Sequence, residues 1–291
     1  MGTSEFAASV LRRLVASEHP PQLVISRPDR PRGRGRKLTA PPAAEAAREL
    51  GIRVAQPASV NDDEARDAIA AVRPEAVCVC AFGGLIQEPL LSAYRMLNVH
   101  PSLLPRWRGA APIERAIMAG DEVTGISIMR VSAGLDSGPV CSQATEPIEP
   151  HDSYGTLAPR LAALGGHELV RVLSEDPPCS EQDDALATYA DKIAPEDRRL
   201  DPARDAPTLE RVVRALSPHV GAFIDLPDGP QLGVTEAAAV PYDSGSPGDL
   251  VVSGGEGPLI VTARGALRLV RVKPPGRNEM SGAEWLRGYQ R

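Results

Sequence analysis

Through the first half of the chain, short apolar runs alternate with amphipathic stretches rich in Ala and Glu. Residues 22–26 place Leu23, Val24 and Ile25 between polar ends and predict a strand. Residues 41–50 predict a helix. Residues 61–72 predict another, with Asn61 as N-cap, Glu64 three residues on, and Ala65, Ala68, Ile69 and Val72 on one face. Residues 75–81 predict a buried strand that ends before Gly83 and Gly84, and residues 96–100 predict the next. Helices are expected over 112–119 and 153–173, and strands over 124–131 and 140–143. The alternation predicts an α/β architecture, a mostly parallel sheet with helices on both faces. Ligands of such sheets bind beyond the carboxyl ends of strands, and His100 stands at one.

The pattern changes at residues 175–184, an acidic, proline-containing stretch that reads as a surface connection. Residues 208–216 look helical. From Ala222 onward, short apolar runs at 250–252, 259–262 and 267–272 are separated by Gly- and Pro-rich turns, which predicts a small β-barrel. The expected organisation is a catalytic domain over residues 1–180, a linker over 181–202 and a second domain over 203–291.

Three polar residues interrupt this apolar framework in a chemically suggestive way. Asn98 and His100 are two apart on one strand, so their side chains point to the same side. Gly134 and Gly138 allow Asp136 a tight turn near other backbone. Each has a plain structural reading: an Asn caps a turn, an Asp satisfies turn backbone, a lone His is merely hydrogen-bonded. Together, an amide, an imidazole and a carboxylate suit a reaction centre that stabilises an oxyanion and moves protons. His19, His151, His167 and His219 lack such company and read as structural.

A chain of 291 residues has room for about two domains, and 42% apolar residues suffice for cores; with aromatics at 3%, those cores must be aliphatic. No apolar run is long enough to span a bilayer, and no secretory signal opens the sequence, so a cytoplasmic location is expected. Four cysteines are too few and scattered for a disulfide framework; Cys78 and Cys80 read as buried thiols on one strand face, not metal ligands. The net charge of −6 argues against general nucleic-acid coating. Yet residues 30–37 carry Arg30, Arg32, Arg34, Arg36 and Lys37 with no acid, and Arg264, Arg268, Arg271, Lys273 and Arg277 form a second basic stretch. Such patches suit one defined polyanion site.

These residues resemble the folate-dependent formyltransferases: Asn98 and His100, the Gly134-Leu-Asp-Ser-Gly138 turn, the basic residues 30–37, the segment 107–112 (Trp-Arg-Gly-Ala-Ala-Pro) and residues 188–192 (Thr-Tyr-Ala-Asp-Lys). The longer match is to the branch that acts on methionyl initiator tRNA, and it runs over nearly the whole chain. The resemblance implies a Rossmann-like N-terminal domain and an OB-like C-terminal β-barrel that binds tRNA. It implies transfer of a formyl group from 10-formyltetrahydrofolate, with no metal, by a monomer. Asn98, His100 and Asp136 would be catalytic. Phe82, Gly84, Leu85, Ile86, Ser102, Leu103, Leu104 and Pro105 would line the pterin pocket. Arg30, Arg32, Arg34, Arg36, Lys37, Arg106, Arg108, Arg271 and Lys273 would meet tRNA, Arg34 most directly. The alternatives are a formyltransferase for an amino sugar nucleotide or other small amine, which needs no arginine loop, and an inactive RNA-binding module, which needs no catalytic trio.

The chain departs from the family in two places. Residues 217–222 replace an Asn-Pro-Trp-Pro-like segment. A β-strand is also expected ahead of Gly2, where Met1 stands instead. The expectation is a start assigned too late or a shortened chain, which leaves two neighbouring strands with unpaired ladders at about 1–3 kcal/mol per buried unsatisfied group.

Overall fold

The computed structural model describes residues 1–32, 37–226, 229, 231–252 and 257–289. The chain forms two compact units: residues 1–112, 123–147 and 158–190 make the first, and 113–122, 148–157 and 191–291 the second. Residues 181–190, expected in a linker, thus belong to the first unit.

In chain order the elements are α1 (Glu5–Val15), β1 (Leu23–Ile25), β2 (Arg30–Arg32), β3 (Lys37–Thr39), α2 (Pro42–Glu49), β4 (Arg53–Ala55), α3 (Asp63–Val72), β5 (Val77–Cys80), α4 (Leu90–Ala93), β6 (Met96–His100), β7 (Arg108–Gly109), α5 (Pro112–Ala119), β8 (Val123–Arg130), β9 (Val140–Pro147), α6 (Tyr154–Glu175) and β10 (Tyr189–Ala190). Helix α1 was not legible from the pattern, though its causes are plain. Ser4 accepts the N–H of Ala7 as N-cap, and Phe6, Val10, Leu11 and Leu14 bury one face. Asp62, not Asn61, occupies the N-cap of α3. The Asn61 amide instead donates to the Leu85 carbonyl (2.9 Å) and accepts from the Gln87 N–H (2.9 Å).

The main sheet of the first unit has the order β5-β6-β8-β9. It is mixed, not mostly parallel: β5 and β6 run parallel, whereas β8 is antiparallel to both β6 and β9. The short connection 131–139 turns β8 straight back into β9, which forces antiparallel pairing. Strand β6 lies centrally, with Met96, Leu97, Val99 and His100 all buried. Its floor is an apolar cluster of Ile25, Val60, Ile69, Val77, Val79, Phe82, Ile86, Leu90 and Met96.

Strands β1 and β4 pair with each other in parallel, apart from the main sheet. Met1 and Gly2 bridge the gap at one end: Gly2 N–H donates to Ile25 O (3.0 Å), Cys80 N–H to Met1 O (2.9 Å), and the Met1 ammonium to Cys78 O (2.6 Å). Burial lowers the pKa of that ammonium. A cavity of about 450 Å³, lined by Leu11, Val24, Ile25, Val77, Cys78 and Leu169, separates β1 from β5. The Cys78 and Cys80 thiols beside it are raised by burial, Cys80 to about 12, so neither is a thiolate at neutral pH.

The second unit adds α7 (Ala206–Leu216), β11 (Ala222–Ile224), β12 (Leu232–Val240), β13 (Leu250–Val251), β14 (Leu259–Val261), β15 (Ala266–Lys273), β16 (Met280–Ser281) and α8 (Gly282–Tyr289). The strands form a six-stranded antiparallel sheet in the order β11-β12-β15-β14-β13, with β16 also on β15. Among the described residues β11 and β13 do not pair, so the expected barrel is an open sheet. Helix α7, capped by Asp205, packs Leu209, Val212, Val213 and Leu216 into a core with Val234, Leu267, Leu269 and Trp285.

Asp197 holds this unit's connecting segment. Arg115 grips it with two bonds, Nη1 to Oδ1 (3.0 Å) and Nη2 to Oδ2 (2.7 Å), and the Ala194 N–H adds a third (2.9 Å). The Arg115 guanidinium first, opposed by burial, sets the Asp197 carboxyl below the usual carboxylate range. A lowered folded-state pKa contributes stability above the unfolded value, near pH 4, that is lost as pH falls through the folded one. Asp197→Asn is therefore expected to lower unfolding free energy by about 1–3 kcal/mol at neutral pH and by less under acid; urea melts at both pH values check this.

Candidate active site

The trio predicted from sequence meets at one end of the sheet. Strand β6 carries Asn98 and His100, and the β8–β9 connection carries Asp136. The Asp136 carboxylate accepts from Asn98 Nδ2 on Oδ1 (3.2 Å) and from the Gly109 N–H on Oδ2 (2.9 Å). His100 Nδ1 faces Oδ2 at 3.6 Å, and His100 Nε2 donates to the Trp107 carbonyl (2.9 Å). A carbonyl only accepts, so the Nε2 proton is fixed by its partner. His100 is only 3% exposed, and the Asp136 side chain is 17% exposed. Buried polar groups in close register, each already oriented, are the condition for electrostatic preorganisation.

The backbone is bent to achieve this. Asp136 itself takes the left-handed conformation at φ +46°, as does Trp107 at φ +62°. Gly109, at φ +120°, offers its N–H to Asp136 from a position where a Cβ would sit 2.8 Å from Ala190 O.

The loop after β6 is fastened from beneath. Ser127 Oγ on β8 donates to Ser102 O (2.7 Å) and accepts from Leu104 N–H (3.0 Å) and Gln143 Nε2 (2.9 Å). Gln143 Nε2 also reaches Leu104 O (2.8 Å). Thr188 clamps the far end: its Oγ1 accepts from Trp107 N–H (2.9 Å), its N–H donates to Pro105 O (3.2 Å), and its carbonyl accepts from Arg108 N–H (2.9 Å). Sequence reasoning missed Ser127, Gln143 and Gln182, and it carried Thr188 only as part of the 188–192 match, with no role. None has a periodic or spaced signature, and Gln182 sits in a stretch that reads as solvated loop.

The residues expected at the pterin lie in two loops at the carboxyl ends of the adjacent parallel strands β5 and β6. Phe82, Ile86 and Leu104 are buried in packing, whereas Leu85 is 70% exposed and Gly84 is exposed. Leu103 and Pro105 are half-buried. Ser102 is fully buried and its hydroxyl donates to Arg106 O (2.6 Å), so it is a structural fastener and not a side-chain ligand.

The basic residues divide similarly. Arg30 is exposed on β2, which pairs with β3 as an antiparallel hairpin. Arg34 and Arg36 lie outside the described residues, as do the side chains of Arg32 and Lys37. Arg106 is exposed, with its guanidinium 4.4 Å from the Trp107 ring centre. Arg108, expected at a tRNA surface, is only 3% exposed; it donates from Nε to Gln182 Oε1 (3.0 Å) and from Nη2 to Asp184 Oδ1 (2.7 Å). The left-handed Trp107 breaks the strand alternation, so Arg106 and Arg108 face opposite ways. Arg271 is ion-paired with Glu279, and Lys273 is exposed at the end of β15.

A disulfide between Cys141 and Cys179 joins β9 to the segment after α6. The cysteines are scattered in sequence, as noted, but this one pair meets in the fold. Val140 and Ser180 exchange backbone hydrogen bonds beside it (2.8 and 2.9 Å).

Residues 1–173 match the family model described as Formyl transferase, and residues 192–290 match Formyl transferase, C-terminal domain. Methionyl-tRNA formyltransferase of Methylococcus capsulatus is 40% identical over 294 residues, covering 99% of this chain and 95% of that protein. Among solved structures, the N-formyltransferase from Helicobacter canadensis, in complex with folinic acid and dTDP-3-aminofucose, has a TM-score of 0.65 at 14% identity, covering 91% of this chain and 95% of that one. HypX from Aquifex aeolicus in complex with tetrahydrofolic acid has a TM-score of 0.61 at 21% identity over 84% of this chain; this chain spans 43% of that longer one. At such identities the two structural likenesses speak for the fold.

Replacing Cys141 and Cys179 together by Ala is expected to lower stability by up to about 4 kcal/mol, from the loop the bond closes. Equal melting temperatures for oxidised, reduced and substituted protein would contradict an anchoring role.

Proposed function

We propose that this chain, which belongs to the formyl transferase family, moves the formyl group of 10-formyltetrahydrofolate to the α-amine of methionine on initiator tRNA. The observation that carries the proposal is the meeting of Asn98, His100 and Asp136 around one small space. The basic hairpin favours tRNA over an amino sugar nucleotide, which gives no reason for five cations in eight residues.

The chemistry needs little beyond these side chains. The amine nitrogen bonds to the formyl carbon, and the carbonyl π pair moves onto oxygen to give a tetrahedral oxyanion. Asn98 has a second amide N–H to offer that oxygen, and His100 Nδ1 has no hydrogen bond of ordinary length among the described residues. Collapse reforms the carbonyl and breaks the bond to folate N10. The proton shed by the attacking amine returns to N10; Asp136, beside Asn98 and His100, is suited to relay it. On this reading Leu85, Leu103 and the backbone around Gly84 and Pro105 cover the pterin, while Phe82, Ile86, Ser102 and Leu104 shape those loops from behind. Arg30, Arg32, Arg34, Arg36, Lys37 and Arg106 meet tRNA, with Lys273 and Arg271 contacting phosphate farther along. The enzyme acts as a cytoplasmic monomer.

Purified protein is expected to release formyl from the folate only with charged initiator tRNA; equal turnover with a small amine would favour the rival reading. His100→Ala should lower kcat about a hundredfold or more, and near-normal turnover would remove His100 from the mechanism. Arg34→Ala should raise KM for charged tRNA about tenfold or more while KM for the folate stays within about twofold; an unchanged KM for tRNA would remove Arg34 from the tRNA contact.

A further inference from the structure

Gln182 lies in the acidic segment after α6, far in sequence from the trio, yet its amide is committed to the loop that carries Asp136. Its Nε2 donates both protons to backbone carbonyls, those of Asp136 (2.8 Å) and Gly138 (2.7 Å). Its Oε1 accepts from Arg108 Nε (3.0 Å). The two carbonyls can only accept, so the amide cannot be turned the other way without losing both bonds.

The segment bearing Gln182 is itself held. The Cys141–Cys179 disulfide and the Val140–Ser180 backbone pair fix it to β9 a few residues earlier. Arg108 and its partner Asp184 fix it to β7 on the other side. The loop it grips needs holding. Asp136 adopts the left-handed backbone, φ +46°, that a residue with a Cβ disfavours. Gly138 runs so close to Arg130 O that no side chain fits there. The gripped carbonyl belongs to the same residue whose carboxylate meets Asn98, His100 and Gly109.

We infer that Gln182 is a positioning residue for formyl transfer, acting through the backbone of Asp136. The inference rests on the function proposed above. Gln182 touches no reacting atom; it holds the Asp136 turn so that the carboxylate accepts from Asn98 and Gly109 and faces His100. Arg108 in turn holds Gln182, which gives this buried arginine a role inside the site.

Gln182→Glu isolates this role. It keeps, and charges, the acceptor for Arg108 but removes both donors and sets a carboxylate against two carbonyls. The variant should lose kcat by about tenfold to a hundredfold, with KM for folate and for tRNA within about twofold of wild type. In an Asp136→Asn background the same change should cause almost no further loss, because the two residues act as one unit. Hydrogen exchange at the Gly109 N–H should quicken about tenfold or more. Should Gln182→Glu fail to fold, Gln182→Asn, a neutral amide one methylene too short to hold both carbonyls, is read by the same criteria. Unchanged kcat in a folded variant, a full multiplicative loss on top of Asp136→Asn, or unchanged Gly109 exchange would overturn the inference. Wild-type protein without formyl transfer would instead overturn the proposed function, and the Gly109 exchange would still report whether Gln182 holds Asp136.

Discussion

One carboxylate organises the proposed catalytic end of this molecule. Asp136 accepts from Asn98 and from the Gly109 amide, and it stands 3.6 Å from the His100 imidazole. An ionised carboxylate has room for several donors and no proton to give. It therefore draws three separate pieces of chain to one point: the end of β6, the strand β7 and the β8–β9 connection. The cost is a left-handed residue in a loop that must not relax. Much of the surrounding hydrogen bonding opposes that relaxation.

The supports form a continuous path. Ser127 and Gln143, on the antiparallel strands β8 and β9, hold the loop after β6 at Ser102 and Leu104. Thr188 fastens Pro105, Trp107 and Arg108. Gln182 fastens Asp136 and Gly138, and the disulfide and Asp184 fasten the segment on which Gln182 lies. A buried Arg108 without Gln182 and Asp184 would be an unpaired charge out of water, a strongly destabilising state. The same bonds that satisfy it shape the Asp136 turn.

Much of this was legible in the sequence, for identifiable reasons. Strand β6 and helix α5 appear where their patterns predict, because continuous apolar burial and 3.6-residue periodicity act within a few residues. Asn98 and His100 were readable because strand alternation fixes their common side. Asp136 was readable because glycines flank it. What escaped depends on contacts between distant segments. The mixed sheet follows from how β8 returns, not from any local preference. Arg108 read as a tRNA contact only through the family resemblance, and its burial against Gln182 and Asp184 depends on a segment far away in sequence. Gln182 lies in a polar stretch that carries no periodicity at all, and the 188–192 match marked Thr188 without showing what it fastens. The open C-terminal sheet has the expected short strands, but closure is a property of their ends, which composition does not encode.

The central claim is that the Asp136 carboxylate, held in its strained turn, is what makes the neighbouring amide and imidazole competent. Single-turnover formyl transfer by Asp136→Asn, at saturating folate and charged initiator tRNA, tests it most directly. The account predicts a rate lower by about a hundredfold or more, with both substrates still bound. A rate within about twofold of wild type, in a protein whose Asn98 and His100 have not moved, would contradict it.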